Sequence, residues 1–256
     1  MSSGCLQAQI TIPSGGWSIS TTITAIGTYT VTLSAGNYYP ADLLSSFKTQ
    51  LDAATGADGV FTVSGSFGET GTGIVTISHT VQTFTITWTS TDLRDALGFT
   101  GDLTPAATSF SGTKCARGVW LPGCPMVAAY GANDPGHTET DLAQTISPRG
   151  DVTSFVYETR TRLAVQWTHV ARARARVAGE SVVGESFEQW WRYTQGGELS
   201  YFDAGSSVRL IWDADVPGTY HTYRLFGRTS TEMARAVMEW NGLFAIDLSG
   251  YRVPGT

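Results

Sequence analysis

One short aromatic helix, set among alternating segments, constrains the fold of this chain more than any other feature. Residues 186–203 read SFEQWWRYTQGGELSYFD. Three aromatic side chains and one threonine recur at the spacing i, i+3, i+4 and i+7 of a helix face: Phe187, Trp190, Trp191 and Thr194. Gly196-Gly197 should end the helix, and the alternation of residues 199, 201 and 203 predicts that an extended run follows. The pattern predicts a helix that packs on a sheet as scaffold and holds no group suited to chemistry.

The first hundred residues combine strand and helix signals. Tyr29, Val31 and Leu33 alternate with threonines, at the period of two that a half-buried strand has. Pro40 stands at the start of a helical pattern that continues to about Ala54. Short alternating runs follow, and a brief helix over residues 92–97 should end at a glycine. We therefore predict an accessory α+β module over residues 1–104.

The rest of the chain reads mostly as strands. Residues 105–143 are rich in Pro, Gly and Ser and are predicted to form a connection. Forty residues without structure would be unusual in a compact domain, so this connection either holds short strands or spans a subunit boundary. Alternation dominates again from Val152 to Val177, and residues 144–256 are predicted to form a β-rich domain that contains one short helix. The predicted fold class is mainly β, of the α+β type.

The charge of the chain limits its partners. It has 16 lysines and arginines against 22 aspartates and glutamates, a net charge of −6. A general nucleic-acid binder neutralises phosphates with basic side chains, so we expect no specific nucleic-acid binding. No stretch approaches the roughly 20 apolar residues of a membrane span, and the N-terminal sequence lacks the pattern of a signal peptide. We therefore expect a soluble protein that is made in the cytoplasm, without membrane insertion.

Candidate catalytic and metal-binding residues are few and scattered. The histidines lie far apart and show no metal-ligand spacing: His79, His137, His169 and His221. Asp213 and Asp215, and the loop over residues 133–141, could gather oxygens around a cation, but acidic turn residues explain both more simply. No nucleophile elbow, phosphate loop or dinucleotide motif occurs. We therefore expect no enzyme activity, no cofactor and no metal site.

The cysteines are not typical of a disulfide framework. Cys5, Cys115 and Cys124 are odd in number and do not cluster. Cys115 and Cys124 could pair across a loop, but unpaired thiols in the core or in loops are the favoured interpretation.

One charged pattern stands out. Arg172, Arg174 and Arg176 alternate with alanines, so on a strand all three guanidinium groups would leave the same face. They form either a solvated face that resists aggregation or a contact with the acidic N-terminal half of a neighbouring subunit. The first 150 residues carry 5 basic and 10 acidic side chains, so such an acidic surface is available. Since an isolated monomer gains little from three aligned like charges, the inter-subunit contact is the favoured interpretation.

Two stretches resemble virion proteins. From Gln144 to Val253, the F-x-x-W…GG…Y-F-D segment and the closing WNGLFAIDL strand resemble tail structural proteins of double-stranded DNA bacteriophages, in particular tail-tube and distal-tail proteins. Earlier, AGNYYPADLLSSFKTQLDAA, FTVSGSF, TFTITWTS and LRDALGF are similar to an accessory α+β module of phage and other virion proteins. A plain tube protein has no such module, so the resemblance leaves tube, distal tail, fibre junction and outer decoration open.

This resemblance implies a virion structural protein of a tailed phage that forms a homo-oligomeric ring in the tail or tail tip. Members of the family have a β-sandwich or barrel with one short flanking helix, and the resemblance implies this fold for residues 144–256. They join through sheet augmentation and loop contacts, so the implied partners are copies of the chain and other tail proteins. The implied scaffold residues are Phe187, Trp190 and Trp191. The alternative is a carbohydrate-binding or adhesion module of a receptor-binding protein, in which Trp190, Trp191 or Trp212 would stack on sugar rings. The helix tryptophans lie on the face expected to be buried, which favours the virion interpretation.

Overall fold

The computed structural model describes residues 5–56, 60–67, 71–121, 126–128, 136–146, 152–171, 187–211, 220–225 and 243–253. The strands in these ranges are β1 Cys5–Ala8, β2 Ile10–Ile12, β3 Trp17–Ile23, β4 Gly27–Leu33, β5 Gly36–Tyr38, β6 Phe61–Gly65, β7 Val75–His79, β8 Phe84–Trp88, β9 Leu103–Ala107, β10 Ser109–Ser111, β11 Val119–Trp120, β12 Met126–Ala128, β13 Gly136–Ile146, β14 Val152–Ala171, β15 Val208–Ile211, β16 Tyr220–Leu225 and β17 Leu243–Arg252. The helices are α1 Pro40–Thr55, α2 Thr91–Ala96 and α3 Phe187–Gln195. The prediction of a mainly β fold of the α+β type is confirmed.

Helix α1 confirms the helical pattern predicted from Pro40. The helix begins at this proline, whose missing N–H would have no partner in the first turn anyway. The predicted apolar stripe is buried along its length: Leu43, Leu44, Phe47 and Leu51. Gly56 follows the last helical residue with a φ of +60°, a conformation that glycine adopts without strain. The helix lies against β4, β5 and β6 and covers their apolar side chains.

The first half of the chain contains three small antiparallel sheets. Their strand orders are β4-β3-β8-β9, β10-β7-β6 and β2-β5. In strand β3, which the sequence pattern did not single out, the buried side chains of Trp17, Ile19 and Ile23 alternate with more exposed ones. Helix α2 ends as predicted before Gly98, which has a φ of +79°. The strand and helix signals of this half therefore give the correct element types, with boundaries that differ by one or two residues.

A larger sheet brings the first strand of the chain together with the second half. Its order is β11-β1-β15-β16-β17-β14-β12, and β13 pairs with β14. In this sheet Gln7 of β1 lies between Val119 of β11 and Arg209 of β15. Short strands do occur between residues 105 and 143, which was one of the two alternatives for this segment. The division at residues 104 and 143 stays a prediction, and β1 pairs with β11 and β15 of the large sheet.

Helix α3 buries the face that its spacing predicts. Phe187, Trp190, Trp191 and Thr194 are all buried. The ring of Phe187 packs edge-on against Trp120 of β11, with 5.0 Å between their centroids. This places the helix against the large sheet, as expected for a scaffold element.

The extended run predicted after α3 is wrong. Residues 199–203 form turns, in which the N–H of Phe202 donates to the carbonyl of Leu199 at 3.0 Å. Tyr201 and Phe202 are both buried although they are adjacent, whereas a strand with one exposed face would bury only one of the two. Gly197, with a φ of +63°, redirects the chain so that both rings enter the core.

Candidate functional site

The candidate functional site is an arm formed by β13 and β14. Strand β14 pairs with β17 only from Arg162 to Ala171, whereas β13 pairs with β14 from Val152 to Leu163. On the β17 side, residues 152–161 therefore meet no other strand in the part of the chain that the structure describes. We call residues 138–146 and 152–161, which pair with each other, the arm. About ten residues at 3.3 Å each give a two-stranded hairpin that extends the sheet by about 30 Å.

The base of the arm is held firmly in the large sheet. Residues 165–167 of β14 pair with β17 on one side and with β12 on the other. Strand β17 in turn pairs with β16, which fixes the direction in which β14 leaves the sheet. The arm therefore extends from a strand that is paired on both sides.

One irregularity interrupts the arm. Asp141 pairs with Glu158, but the next residue, Leu142, pairs with Val156. Tyr157 is thus an extra residue on β14, as in a β-bulge, which bends the strand and increases its twist. Bulges of this kind change the direction of a strand, so this one affects where the end of the arm points.

The sequence pattern predicts only one strand of the arm. The strand predicted from the alternation that begins at Val152 is confirmed as β14, as far as Ala171. Most of β13 lies in the segment predicted to be a connection, because GHTETDLAQTI is polar at both alternating sets of positions. Hydrophobic periodicity detects a strand only when one face is apolar. The alternation of threonine with charged or polar residues over positions 137–141 was the available signal.

The predicted arginine contact is not part of the arm. Arg172 directly follows the last residue of β14, Ala171. Arg172, Arg174 and Arg176 lie outside the described residues, as do Trp212, Asp213, Asp215 and Cys124. The arginine contact stays a prediction.

Two partly buried side-chain clusters join the module of the first half to the large sheet that bears the arm. In the first, the hydroxyl of Tyr201 donates to the carboxylate of Asp95, at the end of α2. The guanidinium of Arg117 lies 3.4 Å from that carboxylate and 5.3 Å from the ring centroid of Tyr193 on α3. Trp17 of β3 contacts Tyr201 edge-on at 5.7 Å. This cluster connects α2 and β3 with α3 through polar and aromatic contacts.

The second cluster surrounds Arg209 of β15. Its guanidinium lies 4.1 Å from the ring centroid of Tyr39 and 4.2 Å from that of Tyr220. It also donates two hydrogen bonds to the carboxylate of Asp42, at 3.2 and 2.9 Å. Burial raises the pKa of Tyr39 above its ordinary value, although a hydrogen bond with Thr222 and the charge of Arg209 oppose the shift. The cluster attaches the first turn of α1 to β15 and β16.

The environment of Tyr201 predicts a loss of stability in alkali. Burial, and then the Asp95 carboxylate, raise the pKa of Tyr201 above the value of about 10 that an unfolded tyrosine has. Above that pH the unfolded chain releases a proton that the folded chain retains, so ionisation stabilises the unfolded state. The contribution of Tyr201 is therefore complete below about pH 10 and declines as pH rises beyond it.

Tyr201→Phe tests this cluster by urea unfolding. At pH 7 the variant should lose about 1.5 kcal/mol, because a hydrogen bond to a charged acceptor is removed. Between pH 10 and 11 its free energy of unfolding should fall less steeply than that of the wild type. Parallel pH curves for the two proteins would contradict the assignment.

The two helix tryptophans named for sugar binding are inaccessible. Trp190 is 0% exposed and Trp191 is 8% exposed. The indole Nε1 of Trp190 also donates to the carbonyl of Gly118 at 2.9 Å. A sugar ring therefore has no access to either indole in the folded chain, and this removes the main support of the carbohydrate-binding alternative.

The described residues offer no cluster of metal ligands. Within the described ranges, no three side chains among His, Cys, Asp and Glu are grouped so that they could hold an ion. The Nδ1 of His79 accepts hydrogen bonds from the N–H groups of Val81 and Gln82, at 3.2 and 2.9 Å. This histidine thus stabilises the turn between β7 and β8. Cys5 and Cys115 are buried. No helix in the described ranges is long and apolar enough to cross a membrane.

Comparisons of the chain with protein-family models, with curated proteins and with solved structures found no match.

Proposed function

We propose that the chain is a virion structural protein of a tailed bacteriophage, which assembles with copies of itself into a ring in the tail or tail tip. The observation that carries this proposal is the arm. Its residues 152–161 pair with β13 on one side, and no described strand pairs with them on the other. A strand edge of this kind can accept a further strand by sheet augmentation.

The low stability of an isolated hairpin is a reason to expect that the arm has a binding partner. An isolated two-stranded hairpin is at best marginally stable in water, because it has no third strand or helix to pack against. The arm would therefore gain stability by lying on a second chain. A copy of the same chain is the simplest partner, since it supplies the same arm and the same body.

A ring follows if each arm contacts the body of the next copy. Such a head-to-tail contact uses two different surfaces of each copy. It produces a closed ring when the rotation angle that relates neighbouring copies is a whole fraction of 360°. The function is then structural and requires neither a catalytic group nor a cofactor. Other tail proteins would join the ring through the accessory module, at the tube, the distal tail or a fibre junction. The protein would be made in the host cytoplasm and found in the virion tail.

Shortening the arm tests its role in assembly. Thr140 and Thr159 are opposite each other in the hairpin. Replacing residues 141–158 by Asn-Gly would close it at this pair with a two-residue turn. Light scattering and negative-stain microscopy should show rings for the wild type and a folded protein that forms no rings for this variant.

A smaller truncation provides the matched control. Gln144 and Ser154 are also opposite each other, so replacing residues 145–153 by Asn-Gly removes only the end of the arm. This variant should assemble more weakly than the wild type and more strongly than the longer truncation. A monomeric wild type, or rings that survive the longer truncation, would contradict the proposal.

The arginine residues are proposed to form a second contact between subunits. Changing Arg172, Arg174 and Arg176 together to Gln should leave the monomer folded and prevent assembly, because the acidic half of the neighbour would lose its basic partner. Circular dichroism monitors the fold and light scattering the mass. Unchanged assembly would exclude this contact and leave the arm as the proposed joint.

A further inference from the structure

The two edges of the sheet β4-β3-β8-β9 differ sharply. Strand β9 contains Pro105, which has no N–H to donate, and its register against β8 shifts between Phe84 and Ile86. Proline and bulges both hinder the addition of a further strand. Strand β4 pairs with β3 in unbroken register over its whole length. It is an outermost strand of this sheet in the described part of the chain.

The chemistry of β4 suits contact with a second copy. With a net charge of −6, two copies repel each other where their charged surfaces meet. The first charged side chain of the sequence is Asp42, so the hairpin β3–β4 carries no charge at all. Edge strands of natural proteins usually carry a lysine, a proline or a bulge that prevents pairing. Strand β4 has no lysine and no proline, and its register shows no bulge.

We propose that β4 pairs antiparallel with β4 of a second copy, about a two-fold axis that passes through Thr30. The hindered edge at β9 disfavours head-to-tail pairing of the two sheets, which leaves the self-complementary arrangement. Thr28, Thr30 and Thr32 are exposed. In this arrangement Thr30 lies opposite its own copy, and Thr28 lies opposite Thr32. Threonine pairs across strands are favourable.

This contact is independent of the arm and is expected to be weak. It uses a different strand in a different sheet, so it goes beyond the proposed ring. Strand β4 offers 7 residues on each side, whereas a standard stable interface uses roughly 20–30. The pairing should therefore depend on protein concentration and be measured over a dilution series.

Charges at Thr30 test both the pairing and its symmetry. Thr30→Lys alone, or Thr30→Glu alone, places two like charges opposite each other at the axis. Each change should raise the dissociation constant of pairing about fivefold in sedimentation velocity experiments. An equal mixture of the two variants places lysine opposite glutamate and should restore association. Ala106→Lys, an exposed position on β9, is the matched control and should leave association unchanged.

Three results would overturn the proposal. These are a wild type without this association, single variants that associate as the wild type does, and a mixture that stays dissociated while both variants keep the wild-type circular dichroism spectrum. The chain with the shortened arm separates the two contacts. It should still form pairs, and Thr30→Lys or Thr30→Glu introduced into it should weaken those pairs, even if the ring proposal fails.

Discussion

Trp190→Ala should lower the free energy of unfolding by about 3–5 kcal/mol, the cost of removing a large buried aromatic side chain. Trp190 is 0% exposed and packs against Phe187 and Trp191, with ring centroids 5.8 and 6.4 Å away. Its Nε1 shares the carbonyl of Gly118 with the N–H of Ala8, so the same contact joins α3, β1 and the segment before β11. Urea unfolding followed by tryptophan fluorescence would measure the loss.

A second variant and a control show whether the effect comes from the buried face. Trp190→Phe keeps an aromatic ring and removes the hydrogen bond, so it should lose about half as much as the alanine variant. The control is Arg192→Ala, on the exposed side of α3. The side chain of Arg192 is 60% exposed, and that of Glu198, its ion-pair partner, is 52% exposed. This change should lose less than about 0.5 kcal/mol. Equal losses for Trp190→Ala and Arg192→Ala would contradict the packing of α3 on the large sheet.

Arg209→Ala should destabilise the protein by about 2–3 kcal/mol. The side chain of Arg209 is 12% exposed and stacks on both Tyr39 and Tyr220. Each desolvated cation–π contact contributes on the order of 1 kcal/mol, and the loss of packing against two rings adds to this. The carboxylate of Asp42 is 50% exposed, so water can hydrate it after the arginine is removed. The stacking therefore accounts for more of the expected loss than the ion pair does.

Lysine at this position separates charge from shape. Arg209→Lys keeps a positive charge near Asp42 but cannot lie flat between two rings or donate two parallel hydrogen bonds. It should therefore lose about half as much stability as Arg209→Ala. Asp42→Asn, which removes the charge and leaves both rings, should lose less than about 1 kcal/mol. A lysine variant as stable as the wild type would show that charge alone matters at this joint.

The elements that sequence predicted well have side chains with one clear period. Helix α1 and the buried face of α3 follow from apolar residues at helical spacing, and β4 follows from strict alternation. The elements that it missed lack that signal. Strand β13 has mostly polar residues at both alternating sets of positions, and residues 199–203 bury two adjacent aromatic rings in a turn. In both cases contacts from other parts of the chain decide the structure, and a local pattern does not contain them.

The three alternating arginines show the same limit for the functional site. Sequence singled out Arg172, Arg174 and Arg176 because three like charges on one face are unusual. It did not single out the arm, because an overhang depends on where β17 stops pairing with β14. That boundary is a property of two strands that come from distant parts of the chain.

The sequence by itself determined the mainly β class, the two amphipathic helices and the face that each helix buries. These features depend on side chains within a few residues of one another, so the period of the pattern specifies them. Only the tertiary structure decided that β1 joins the large sheet, that Arg209 contacts Asp42 across 167 residues, and that Tyr201 contacts Asp95 across 106 residues. Contacts between distant residues form only when the whole chain has folded, because their energies depend on which surfaces the completed sheets bring together.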